Sequence, residues 1–125
     1  GIYGLTYPPE ESKWFDLIRR VKKGGRISVP TGGKEVHAAD VAKAVSLLLK
    51  SNGIAGQAYN CYDMYIADQE VAQIASEILN SNCIIEDLNK GPKNQIDTQK
   101  IKNLGMTFGG KELLRKTIEE IVELI

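Results

Sequence analysis

His37, the only histidine of the chain, is the one side chain whose ordinary titration suits general-base chemistry near neutral pH. It stands just ahead of an apolar helical stripe, with Asp40 three residues on, and that placement favours an imidazole satisfied near a helix start over a catalytic one. Cys61 and Cys83 lack CxxC spacing, and with a single histidine they support neither a disulfide framework nor a zinc site. They read as small buried apolar side chains. The glycines and lysine of TGGK (31–34) hint at a phosphate loop, but that loop needs a longer pattern that opens a helix, so a tight turn is expected. Tyr59, Tyr62 and Tyr65 cluster, with Tyr59 expected in the core and the other two along a cleft. No Walker A, no GxGxxG after a strand and no GxSxG occurs. No catalytic residue and no metal ligand is therefore assigned.

The elements that would position these residues alternate along the chain. Ser12 is expected to cap a helix carrying Trp14, Leu17, Ile18 and Val21, which ends at KKGG. RISV (26–29) reads as a strand, stopped by Pro30 and the TGG turn (31–33). A second helix follows with Val41, Ala44, Val45, Leu48 and Leu49, closed by Asn52 and Gly53. QAYNCYD (57–63) alternates as a strand does, and Asp68 is placed to cap a helix with Val71, Ile74, Ala75, Ile78 and Leu79. NCIIED (82–87) reads as another strand before a Gly-Pro loop. DTQKIKNLG reads as a short helix capped by Asp97 or Thr98 and stopped at Gly105. The last helix carries Leu113, Leu114, Ile118, Ile121, Val122 and Ile125. These elements predict a small mixed α/β domain, helix-rich with a few short strands and no complete Rossmann sheet.

A chain of 125 residues is expected to form a single domain, 1–125, around one core. Sixteen basic residues balance sixteen acidic ones, so no global field draws nucleic acid or an anionic membrane. No apolar run approaches the roughly 20 residues needed to span a bilayer, and no signal peptide is evident at the start. A cytoplasmic protein is expected.

Five stretches, in order, resemble the C-terminal substrate-binding region of the extended short-chain dehydrogenase/reductase superfamily, the NAD-dependent nucleotide-sugar epimerases and dehydratases. GIYG resembles the tail of the RPxxxYG motif, VHAADVAKAV the HVxDVAxA helix start, and GQAYNCYD the G-x-x-YN strand. ADQEVAQIASEI resembles the helix that follows, and DTQKIKNLGM the DxxKxxxLGW segment, with KELLRKTIEEIVE in the place of the last helix.

The resemblance implies that Gly1 is an internal boundary. The cofactor-binding domain, with its glycine-rich loop and Tyr-x-x-x-Lys pair, would precede it. NAD or NADP would then belong to the full-length parent, and this chain alone would bind neither. Tyr3 and Gly4 at the domain junction, and Ile27 and Val29 of the RISV strand, are the implied substrate-binding positions. Lys34 stands where nucleotide-sugar members place an arginine, and Glu86 and Asp87 occupy the region of a second one. Lys34, Lys90 and Lys93 offer point charges without the bidentate fork. An acyl, amino-acid-derived or small hydroxy substrate therefore stays open beside a nucleotide sugar. Ile2, Tyr3, Leu5 and Tyr7 are expected to be exposed without the partner domain and to promote self-association. The alternative is a stand-alone small α/β binding or oligomerisation domain without redox activity.

Overall fold

The computed structural model describes all 125 residues. The chain runs β1 (Ile2–Tyr3), a 3-10 turn (Pro9–Glu11), α1 (Phe15–Lys23), β2 (Arg26–Ile27), β3 (Gly32–His37) and α2 (Ala38–Lys50). It continues through β4 (Met64–Ala67), α3 (Asp68–Leu79), β5 (Ile84–Ile85), α4 (Gln99–Lys102) and α5 (Gly110–Val122). One small sheet has the order β1-β3-β4, and a second pairs β2 with β5. As expected, the fold is helix-rich α/β, with short strands and no complete Rossmann sheet. No helix is long and apolar enough to cross a membrane.

The main core lies where α1, α3 and α5 converge. The stripes read from the sequence meet there: Ile18 and Val21 of α1, Val71 and Ala75 of α3, and Leu114, Ile118 and Ile121 of α5 are fully buried. Each such aliphatic side chain is worth about 1.5–3 kcal/mol on full burial, before the cost of ordering it. A second, smaller core gathers Ala44 of α2 with Ile101 and Met106, flanked by Leu47, Tyr59, Cys61 and Phe108. The expectation of one core thus needs a satellite added to it.

Several local expectations are corrected. Gly32 and Gly33 do not form a turn but begin β3, whose antiparallel register with β4 pairs Gly32 with Ala67 and Glu35 with Met64. Poor strand formers are held here by the partner strand. QAYNCYD (57–63) belongs to no strand; the ladder starts one residue later, at Met64. RISV forms a strand only at Arg26 and Ile27, because only these pair with Ile84 and Ile85.

The capping roles also move. Ser12 Oγ accepts from the Thr6 N–H at 2.9 Å, and α1 starts instead after Trp14, held at φ 69°. Asp68 is the first residue of α3 and makes no cap bond there; its oxygens take the Trp14 indole N–H at 2.8 Å and the Thr31 hydroxyl. Asp40 accepts from the Gly109 N–H at 2.8 Å, and the cap of α2 is His37. For both aspartates a partner distant in sequence takes the carboxylate that a local amide would have used.

Ile2 and Tyr3 pair in parallel with Val36 and His37. Tyr3 is 2% exposed and packs in the main core, so the apolar surface expected of the N-terminal segment shrinks to Ile2, Tyr7 and part of Leu5.

Candidate functional site

Two cavities lie toward the opposite ends of β3. At its start, Pro30, Thr31, Gly32, Gly33 and Lys34 face Tyr65 of β4 and the loop residues Gly91, Pro92 and Lys93 around about 350 Å³. At its far end, beside β1, a cavity of about 240 Å³ is lined by Ile2, Tyr3, Gly4, Leu5, Thr6, Glu11, Lys13 and Ala38. Between them Glu35, 2% exposed, is paired with the Lys13 ammonium.

The first cavity is basic and built on backbone. A Cβ at Gly32 would collide with the Tyr65 hydroxyl, so the missing side chain lets the Tyr65 ring lie across the strand. That hydroxyl is fixed by Asn89 at 3.0 Å. Lys34 and Lys93 line the cavity, and neither forms a salt bridge with a carboxylate. The acids expected to oppose an anion here are engaged elsewhere. Glu86 holds Arg26 at 2.7 Å, a hydrogen bond that lowers its pKa, and Asp87 accepts from the Gln69 side chain at 3.2 Å. Two unpaired ammonium groups beside exposed glycine backbone suit a phosphate or carboxylate.

The second cavity is more apolar, with Glu11 and Lys13 as its charged lining residues. Tyr3 packs against Trp14 at 5.3 Å between ring centroids and edge-on against His37 at 5.0 Å. Its phenol oxygen is buried without a hydrogen-bond partner. Burial, then the charges of Asp63, Asp40 and Glu35, pushes the Tyr3 pKa far above its ordinary value, so the phenol stays neutral. His37 Nδ1 accepts from the Ala39 N–H at 2.9 Å, the satisfied helix-start role expected of it. Burial, reinforced by Asp40, also raises the Cys61 thiol and so disfavours the reactive thiolate. Both cysteines are free and half-buried. No group of three or more His, Cys, Asp or Glu side chains converges as a metal site would require.

The five positions chosen from the sequence therefore separate. Tyr3 and Gly4 line one cavity and Lys34 the other, while Ile27 and Val29 line neither. Ile27 is 1% exposed in the main core, because pairing of β2 with β5 turns its side chain inward; Val29 packs against the same core. Tyr65 faces a cavity as expected, whereas Tyr62 does not. Lys13 and Glu35 were not legible as a pair, since they lie 22 residues apart with no motif linking them.

No protein-family model and no curated protein matches the chain. Solved structures match over nearly all of it. RMD from Pseudomonas aeruginosa, solved with NADPH, covers 98% of this chain with 44% of its own, at 13% identity and TM-score 0.73. Gre2 from Candida albicans, also with NADPH, covers 98% with 41% of its own, at 19% identity and TM-score 0.70. The fold is that of the C-terminal part of extended short-chain dehydrogenase/reductases. A UDP-glucose 4-epimerase of that architecture, from Thermotoga maritima with UDP-glucose, covers 98% with 42% of its own, at 18% identity and TM-score 0.65. The chain spans less than half the length of these short-chain dehydrogenase/reductase structures.

Proposed function

We propose that residues 1–125 act as one unit, the substrate-binding portion of an NAD(P)-dependent epimerase, dehydratase or reductase, working with a cofactor-binding domain that completes the cleft. The observation that carries this reading is that 98% of the chain superposes on under half of structures solved with NADPH or with UDP-glucose.

The division of labour follows from the chemistry. Hydride transfer needs a nicotinamide held against the reacting carbon and a group able to move a proton. The neutral, buried Tyr3 phenol and the helix-capping His37 are unsuited to that work. Substrate binding is what this chain can contribute. Lys34 and Lys93 would hold the anionic part of a nucleotide sugar or related hydroxy substrate, with Tyr65 as the wall beside it and Tyr3 and Gly4 bordering the second cavity. NAD or NADP would be held by the partner domain. The two unbridged thiols agree with a cytoplasmic setting.

Calorimetric titration of the chain with UDP-glucose and with NADH tests the reading. We expect weak UDP-glucose binding, lost in a Lys34→Ala, Lys93→Ala double variant, and no binding of NADH, because no glycine turn presents a helix N-terminus to a pyrophosphate. Saturation by NADH at micromolar concentration would overturn it.

A further inference from the structure

Residues 87–97, which bring Lys93 to the cavity at the start of β3, form no backbone–backbone hydrogen bond. Such a stretch keeps much of the freedom of an unfolded chain unless side chains take up its backbone groups. Gln69, the second residue of α3 and 8% exposed, does so at the head of the loop. Its Oε1 accepts from the Leu88 N–H at 3.0 Å and from the Asn89 N–H at 3.2 Å. Its Nε2 donates to Asp87 Oδ1 at 3.2 Å. Both lone pairs of the Gln69 carbonyl are thereby committed to two consecutive amides.

The brace continues from there to the cavity. Asn89 Oδ1 accepts from the Tyr65 hydroxyl at 3.0 Å and from the Gly91 N–H at 3.1 Å. Tyr65 stands opposite Lys34 in the register of β3 and β4, so the loop is tied to the strand partner of the first lysine. Gly91 is held at φ 75°, a conformation open to glycine, and the Pro92 ring fixes the next φ. Lys93 follows directly. The far end of the loop is tied separately, by Asn60 Nδ2 donating to the Asp97 carbonyl at 3.0 Å. Gln69 itself does not line the cavity, and neither does Asp87, whose carboxylate it engages.

We propose that Gln69 is a positioning residue of the anion site. By bracing Leu88 and Asn89 it sets where Lys93 stands relative to Lys34, and so the affinity for an anionic substrate group, without touching that group. The inference rests on the anion-binding role proposed above for the two lysines. Charge-assisted hydrogen bonds are short, so an ammonium on an unbraced loop loses them readily. Glutamine is mostly an exposed residue, whereas this one is buried and makes three bonds to a segment 18 to 20 residues later.

Titration of the 125-residue chain with UDP-glucose, followed by NMR together with amide exchange, tests the proposal. Gln69→Leu is expected to weaken binding on the order of fivefold in the wild-type background and not at all in a Lys93→Ala background, as coupled residues do. Asn89→Ala, at an exposed position outside the core, breaks the same line and is expected to give the same Lys93-dependent loss even if Gln69→Leu folds poorly. In ligand-free Gln69→Leu, exchange of the Gly91 amide is expected to quicken although its own acceptor, Asn89, is intact. Equal losses in the two backgrounds, for either variant, overturn the proposal, because a general structural role does not depend on Lys93. Full affinity or unchanged Gly91 exchange in Gln69→Leu overturns it too. The two readings separate cleanly. A wild-type chain that does not bind UDP-glucose, with Gly91 exchange quickened in Gln69→Leu, overturns the function and leaves the brace; binding lost in the Lys34→Ala, Lys93→Ala variant but untouched by Gln69→Leu leaves the function and overturns the brace.

Discussion

Asp63 shows how a single half-buried carboxylate ties stability to pH. Burial raises its pKa above the ordinary 3.8; the hydrogen bond from the Gly110 N–H opposes that shift, and nearby Asp40 adds to it while Lys102 and Lys111 act against it. The folded chain therefore holds this proton more tightly than the unfolded chain does. Stability contributed at this site falls as pH rises from the ordinary value through the raised one, and stays lower above that window. Asp63→Asn keeps an oxygen acceptor for Gly110 while removing the partly desolvated charge. Its Tm is expected to exceed the wild type at neutral pH, with the difference vanishing below the window. Thermal melts across that range check it, and a less stable Asn variant at neutral pH would contradict the argument. Asp68 carries a different load. It accepts from the Trp14 indole at 2.8 Å, and Trp14 is 8% exposed. Asp68→Ala leaves that donor unpaired and is expected to cost about 1–3 kcal/mol in urea denaturation.

At the scale of elements, β3 and α5 depend on contacts that cross the chain. Gly32 stands opposite Ala67, and a side chain there meets both the Tyr65 hydroxyl and, at 2.9 Å, the Ile66 carbonyl. Gly32→Ala is therefore expected to spread β3 from β4, destabilise the chain by about 1–3 kcal/mol as overpacking does, and weaken any anion binding beside Lys34. Denaturant melts and titration with inorganic phosphate measure the two effects separately. The start of α5 is held from outside the helix, with Asp40 accepting from the Gly109 N–H at 2.8 Å and Asp63 from the Gly110 N–H at 2.9 Å. These two carboxylates fasten α5 to α2 and to the segment before β4. Asp40 lies in the first turn of α2, yet its carboxylate serves the start of α5.

For the whole molecule, the amphipathic helices were the legible part. The stripes of α1, α3 and α5 could be read because a helix must bury one face wherever it packs, and Ile18, Val71 and Ile118 declare that face by spacing alone. The order of five motif-like stretches likewise pointed to the fold that the superposed structures share. Tertiary structure decided what depends on partners far along the chain. The pair Gly32–Gly33 became strand because Ile66 and Ala67 lie opposite. QAYNCYD formed no ladder of its own, and only Asp63 at its end reaches β3, through the Glu35 carbonyl. Ile27 was turned into the main core by the pairing of β2 with β5, and Lys34 was joined to Lys93 by a loop return more than fifty residues later. Periodicity is a local property and survives in the sequence. Pairing, burial and the meeting of charges are set by which surfaces the folded chain brings together, and no short stretch of residues contains that information.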